Sequence, residues 1–209
     1  MKGRLLPCGQ TAVLVEVDSG DAVAALAAAV TAAGWPGVVE IVPAARTLLL
    51  GTDTPASLSR LRPLLEALVE RTDSSPPLAD PTHTMEIPVA YDGPDLAEVA
   101  RLTGLSESVV VAAHTGTPWR VAFGGFAPGF AYLTGGDPRL TVPRRAEPRT
   151  VVPAGAVGLA GEFSGIYPRS SPGGWQLIGR TAAAVWDADR DPPALLRPGW
   201  FVRFVAVTA

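Results

Sequence analysis

Three stretches of this chain place anion-binding or amide-orienting side chains where the backbone is stiff or bare. In Val142-Pro143-Arg144-Arg145-Ala146-Glu147-Pro148-Arg149, three arginines lie among Pro143, Pro148 and the nearby Pro153. Proline fixes the backbone, so the guanidinium groups are presented with little freedom. Their planar forks suit carboxylate or phosphate. A solvated loop, or pairing with Glu147 and Glu162, is the alternative. In Tyr167 to Thr181, the Ser171-Pro172-Gly173-Gly174 run reads as a turn with reachable amides. It leads into Trp175 and then Gln176, which shares a strand face with Ile178. A buried Gln needs partners. The alternative is a hairpin whose Trp caps the core. In Phe123 to Phe130, aromatics and glycines alternate about Pro128-Gly129. Glycine lets a backbone pass close to a ligand, although a tight turn carrying core aromatics explains the pattern too. His114 closes an apolar helical stretch, where the helix dipole favours a protonated ring. Asp137, Glu147, Glu162, Asp187 and Asp189 are scattered, and their spacing defines no acid–base couple.

Composition removes several chemistries. Of the 17 basic residues in the 209-residue chain, 16 are Arg, and Lys2 is the only Lys. This excludes a lysine-bearing phosphate loop and a Schiff-base lysine from the body of the chain. The net charge of −3 argues against a nucleic-acid surface. There is no Gly-x-Ser-x-Gly elbow and no dinucleotide fingerprint. His83, His114 and Cys8 are too few and too dispersed for a closed zinc site, so no metal site is expected. One cysteine, no apolar leader and no membrane-length apolar run lead to the expectation of a soluble protein in a reducing cytoplasm.

The elements that must hold these residues divide into two patterns. Ala12–Val17 reads as a strand. Asp18 or Ser19 caps a helix with Val23, Leu26 and Val30 on one stripe, and Gly34 stops it. Strands follow at Val38–Val42 and Arg46–Gly51. A second helix opens at Ser57 and carries Leu58, Leu61, Leu65 and Leu68. Pro63 conflicts with that helix unless it kinks or starts nearer Leu61. This is a small α/β sandwich. Arg71–Met85 has linker composition, so the domains are expected at 1–80 and 81–209. The second begins with a strand at Met85–Tyr91. A short helix starts at Pro94-Asp95, and another, capped by Ser106, reaches His114. From Gly124 to Arg180 there are 12 Gly and 7 Pro in 57 residues, too many for helices. Short strands are expected at 120–123, 130–133, 150–152, 156–160, 176–178, 183–186 and 200–205, forming a barrel or a sandwich.

Taken in order, Gly125-Phe126-Ala127-Pro128-Gly129-Phe130-Ala131-Tyr132-Leu133, Pro143-Arg144-Arg145, Pro148-Arg149, Val152-Pro153-Ala154-Gly155, Ile166-Tyr167-Pro168 and Ser171 to Thr181 resemble one family. It is the family of the bacterial 5-oxoprolinase B subunit, also labelled allophanate hydrolase subunit 1, which includes the sporulation histidine-kinase inhibitor. The likeness runs from about Met85 to Val205 and, more loosely, over the first domain. The chain departs from the family pattern at Gly124, at Glu162-Phe163 and at Trp200.

The resemblance implies an α+β protein: a small N-terminal α/β sandwich domain and a C-terminal cyclophilin-like β-barrel. It implies a homologous C subunit of related barrel fold and an A subunit as partners. The reaction implied is opening of 5-oxoproline to glutamate with ATP hydrolysis, Mg accompanying the ATP in the complex. An allophanate- or urea-type amide hydrolase or carboxylase subunit is an alternative, as is a protein that inhibits a sensor histidine kinase. On this reading Arg145, Arg180 and His114 are the catalytic candidates. Phe126, Pro128, Gly129, Arg144, Arg149, Tyr167, Pro172, Gly173, Gly174, Trp175 and Gln176 are the substrate-binding candidates.

Overall fold

The computed structural model of the chain describes residues 2–73 and 83–208. They divide into two units, one within residues 1–79 and one within 80–209. The boundary expected near residue 80, and most of the linker expected over Arg71–Met85, lie outside the described residues.

The first unit is one antiparallel sheet with two helices. Its strands are β1 (Gly3–Cys8), β2 (Ala12–Val17), β3 (Val38–Pro43) and β4 (Thr47–Thr52), in the order β1-β2-β4-β3. Val13, Val15, Leu48 and Leu50 alternate onto the buried face. Helices α1 (Gly20–Ala33) and α2 (Pro55–Arg71) cover that face with Leu26, Val30, Leu65 and Val69. Of the two caps expected for α1, Ser19 serves: its Oγ accepts from Ala22 N at 3.2 Å. Gly34 ends the helix at a positive φ of 56°.

Two expectations are corrected here. Helix α2 starts at Pro55, not at Ser57 or Leu61. Thr54 caps it through Oγ1 to Ser57 N, and Pro55 occupies a first-turn position where no N–H is needed. Pro63 stays inside the helix on its exposed side, where solvent can reach the carbonyl that lacks a donor. Strand β1 is an addition to the expected elements. Its Pro7 suits only an edge strand, which is where β1 lies.

The second unit is built on a closed barrel. Around it run β10 (Phe163–Ile166), β7 (Ala131–Thr134), β6 (Trp119–Gly124), β13 (Phe201–Val207), β5 (Thr84–Ala90), β12 (Gln176–Arg180) and β9 (Ala156–Ala160), which returns to β10. Only β13 and β5 pair in parallel, from Phe201 opposite Thr84 to Val207 opposite Ala90. Two strands outside the barrel, β8 (Arg149–Val152) and β11 (Ser171–Gly173), form a separate ribbon. Helices α3 (Leu96–Thr103) and α4 (Glu107–Gly116) add Val99 and Val110 to the barrel core, beside Ile87, Leu133, Leu159 and Ile178.

Here too the pattern misleads in places. Ala183–Trp186 is not a strand; only an isolated bridge from Trp186 to Ala194 forms. Ala183 and Val185 do turn to the core, but the run meets residues 193–195, with Leu195 N to Val185 O at 3.0 Å and Asp187 N to Pro193 O at 3.1 Å, rather than a strand of the barrel. The Ser171-Pro172-Gly173 segment, expected as a turn, is strand β11. Gly173 lies so close to the Tyr167 ring that a Cβ there would overlap it, and the bare backbone pairs with β8 instead. Strand β10 is likewise additional.

His114 is not a protonated helix cap. It is fully buried in the barrel unit, its ring stacked on Phe204 at 4.3 Å. Nδ1 lies 2.7 Å from the Tyr91 hydroxyl and Nε2 lies 2.8 Å from Ser164 Oγ. A neutral ring offers one donor and one acceptor, and either hydroxyl can complement either nitrogen. Burial pushes the His114 pKa down from 6.5 to about 3. The unfolded chain therefore binds a proton below pH 6.5 that the folded chain refuses until about pH 3. Stability is complete above 6.5 and falls as the pH falls through this window. Urea midpoints measured from pH 7 down to 4 should show this fall, and a His114→Gln variant should show a shallower one.

Candidate functional site

The chemistry of the second unit gathers where β5 leaves the barrel. Asp92-Gly93-Pro94-Asp95 turns the chain flat against β12. Gly93 N donates to Ile178 O at 3.3 Å and Asp95 N to Leu177 O at 2.9 Å. A Cβ on residue 93 would overlap the backbone of Ile178 and Gly179, so glycine is required by this close approach. The turn places Asp95 at the start of α3. An Asp there ordinarily caps the helix, but this side chain makes no cap bond.

Asp95 instead faces the arginine loop. Its side chain is only 4% exposed. Oδ1 accepts from Arg145 Nη1 at 2.9 Å and from Arg149 Nη2 at 2.7 Å. Oδ2 accepts from Leu177 N at 2.7 Å. Burial alone would raise this carboxyl. The hydrogen bonds from Arg149 and Leu177, with the charges of Arg149 and Arg145, outweigh burial and hold it below its ordinary 3.8. The expected alternatives for these arginines, Glu147 and Glu162, are not their side-chain partners. The loop is fixed from the other side too, where Arg145 N donates to Gly174 O at 2.8 Å.

This arrangement walls an open cleft of about 550 Å³, lined by Pro94, Asp95, Glu98, Leu102, Pro143, Arg144, Arg145, Ala146, Glu147 and Gln176. Gln176 is 3% exposed. Its Nε2 donates to Pro143 O at 3.2 Å, and its buried Oε1 has no partner. Arg149 Nη1 is likewise buried without a partner. Two guanidinium groups meet one carboxylate at Asp95, and Glu98 and Glu147 line the cleft beside Arg144. Arg144, exposed in this lining, is the side chain that can meet an anion here.

The structure thus brings together Arg144, Arg145, Arg149 and Gln176, with Gly174 bracing the loop. It sets other candidates apart. Arg180 pairs with Asp92, Nε to Oδ2 at 2.9 Å, beside a second hollow of about 230 Å³. Tyr167 and Trp175 belong to a buried aromatic cluster with Phe130 and do not line the cleft. Phe126 tops that cluster edge-on to Phe130 and Tyr167, 59% exposed and at a positive φ of 69°. Gly129, at φ 83°, packs against Trp186, and Pro128 and Pro172 are exposed. His114, enclosed in the barrel unit, does not face the cleft. Asp95 is the residue that sequence reasoning missed. Its signal was the Gly-Pro turn before it and a surplus of proline-held arginines with no assigned acid.

Residues 3–196 match the model of the carboxyltransferase domain, subdomain C and D. The 5-oxoprolinase B subunit of Escherichia coli O157:H7 is 42% identical over 211 aligned residues, covering 98% of this chain and 96% of that protein. The chain belongs to the family of the 5-oxoprolinase B subunit. The motifs that carried the resemblance, from Gly125 to Thr181, thus mark its membership. The crystal structure of TTHA0988 superposes with a TM-score of 0.74 at 41% identity. It matches 100% of this chain but 40% of its own, so the family member described here spans two fifths of that chain. The Kluyveromyces lactis urea amidolyase shares the fold, with a TM-score of 0.75 at 21% identity over 99% of this chain and 15% of its own.

The Asp95 cluster gives a direct test of how the cleft is held. Removing one partner of a buried ion pair leaves the other charges uncompensated and costs about 3 kcal/mol or more. Asp95→Ala should lose stability on that scale by urea denaturation. Asp95→Asn keeps a hydrogen-bond acceptor and should lose less. Because the carboxyl is held low, the charged pair stabilises above its ordinary 3.8 and is lost as the pH falls below it. The Asn variant should therefore lack that part of the acid loss.

Proposed function

We propose that this chain is a subunit of an ATP-dependent amidohydrolase of the 5-oxoprolinase type, acting with a homologous C subunit and an A subunit in the cytoplasm. The complex opens 5-oxoproline to glutamate. Water adds to the ring carbonyl carbon, the C–N bond breaks, and ATP hydrolysis drives the step. The observation that carries this reading is the likeness to the E. coli 5-oxoprolinase B subunit over 98% of the chain. The cleft supports it, since Arg144 and Gln176 suit the carboxylate and the amide of such a substrate.

The described residues do not fit a nucleotide site of their own. Of the arginine candidates Arg144, Arg145, Arg149 and Arg180, the last three are paired with Asp95 or Asp92. Among the described residues no group of three His, Cys, Asp or Glu side chains gathers to hold a metal ion. We place ATP and its Mg with the assembled complex. Among the described residues no helix is long and apolar enough to cross a membrane.

The test is ATP turnover and glutamate release by this chain mixed with its C and A partners, with and without 5-oxoproline. Stimulation that needs all three proteins is expected. Arg144→Ala should lower it roughly ten-fold or more, as expected for loss of a charge-assisted contact. A stable complex that 5-oxoproline does not stimulate would overturn the reading. Stimulation by urea instead would assign the complex to the activity named for the urea amidolyase of Saccharomyces cerevisiae, which is 42% identical over 65 residues.

A further inference from the structure

We infer that the exposed ring of Phe126, with Trp186 beside its loop, is the anchor by which this chain holds its C subunit, seated in an apolar pocket of that partner. The inference rests on the function proposed above, which supplies the partner, and assigns the surface that meets it.

The loop that carries the ring is built against its own local preference. Ala127 N donates to Gly125 O at 2.8 Å, closing a three-residue turn with Phe126 at its centre. Phe126 has a φ of 69°, and among the described residues it is the only one besides glycine at a positive φ. A γ-turn of this hand is rare and strained, and glycine is the residue that fits it. The turn is braced from below. Gly125 N donates to Phe130 O at 3.2 Å and Phe130 N to Ala127 O at 2.9 Å. The Phe126 ring stands edge-on to Phe130 at 5.3 Å and to Tyr167 at 6.0 Å. The outcome is a large apolar ring pointed outward, 59% exposed. An exposed apolar side chain is ordinary by itself. One held outward by backbone strain, on a bed of buried aromatics, marks a functional surface.

The ring has apolar company. On the same loop Pro128 is exposed, and Gly129 packs so closely on Trp186 that a Cβ there would overlap it. Trp186 is itself 40% exposed. Phe and Trp are enriched where proteins meet, and a few such anchors carry most of the binding energy.

The occupant follows from the comparisons and from position. In TTHA0988 the fold is two fifths of the chain, so further polypeptide is joined to it covalently. The E. coli subunit, 96% of which aligns with this chain, has almost no length left over for such a neighbour. A chain of that kind must hold a partner by its surface, and an apolar anchor does so. Position agrees. Phe126 touches Tyr167, a Cβ on Gly173 would meet the Tyr167 hydroxyl, and Gly174 O accepts from Arg145 N. The ring and the cleft wall therefore share one support. A partner seated on Phe126 stands in fixed register with the Arg144 cleft.

The experiment is sedimentation and calorimetric titration of the full chain with its C subunit, without the A subunit or substrate. A saturable complex is expected. Phe126→Gly should weaken it roughly thirty-fold or more, the scale of a lost aromatic anchor. The urea midpoint of that variant alone should change little, since glycine relieves the turn. Trp186→Ala should weaken the complex roughly ten-fold. Val39→Ser removes an exposed apolar side chain of the first unit and should leave the complex unchanged.

Full-strength binding by Phe126→Gly would overturn the assignment, as would the absence of any complex. A steep fall in the urea midpoint of Phe126→Gly would show that the ring serves folding, and would overturn it too. Equal weakening by Val39→Ser would mean unspecific apolar association and has the same consequence. A dimer of the chain alone that Phe126→Gly dissociates would give the surface to a second copy instead. The two readings fail separately. Glutamate release by the three proteins with a complex indifferent to Phe126 would defeat the anchor alone. A complex that needs Phe126, in a mixture that 5-oxoproline does not stimulate, would defeat the proposed function alone.

Discussion

A carboxylate inside a protein is stable only when its charge is answered, and Asp95 sets the second unit's surface by this requirement. It is nearly sealed from solvent, so all of its hydrogen bonds must come from the protein. They come from two elements far apart in sequence: Arg145 and Arg149 of the proline-held loop, and the backbone of Leu177 on β12. The same residue begins α3. One ion therefore ties a helix start, a loop and a barrel strand into a single rigid corner. The cleft wall is positioned before any ligand arrives, and this is what a binding site gains from preorganisation.

The barrel unit holds a second polar inclusion, solved in the opposite way. His114 is as buried as Asp95, but no acid approaches it. Its ring stays neutral and is satisfied by the hydroxyls of Tyr91 and Ser164. Burial also raises the Tyr91 phenol, so this pair carries no charge at neutral pH. Asp95 keeps its charge because two cations surround it, and His114 gives up its charge because none of its neighbours is ionised. The first shapes a surface that can meet an anion. The second fixes the packing of α4 against Phe204 and Trp119.

Between them, the ribbon of β8 and β11 links loop to barrel. It stands on an aromatic cluster in which Phe130, Tyr167 and Trp175 meet edge to face. Gly173 allows that contact, and the carbonyl of Gly174 receives the backbone of Arg145. Sequence motifs that look like ligand-binding turns thus support the cleft from behind. The glycines admit aromatic rings and neighbouring backbone.

Much of this was legible in the chain itself. The alternation in Ala12–Val17, the apolar run of Ala156–Ala160, the apolar stripe of α1 and the stop at Gly34 depend on neighbours a few residues away. Local patterning therefore determined them. The family also followed from sequence, since its motifs are contiguous. The missing interior lysine excluded whole chemistries by composition alone. The tertiary structure decided which charges meet. Asp95 lies 50 residues before Arg145 and 82 before Leu177, and no local period reports a contact of that span. It also decided that His114 is interior, that the Ser171–Gly173 run is a strand and that Ala183–Trp186 is not. Each depends on what lies across a sheet or beneath a ring. Local sequence sets backbone preference, but burial and pairing are properties of the closed barrel, and these gave each polar group its role.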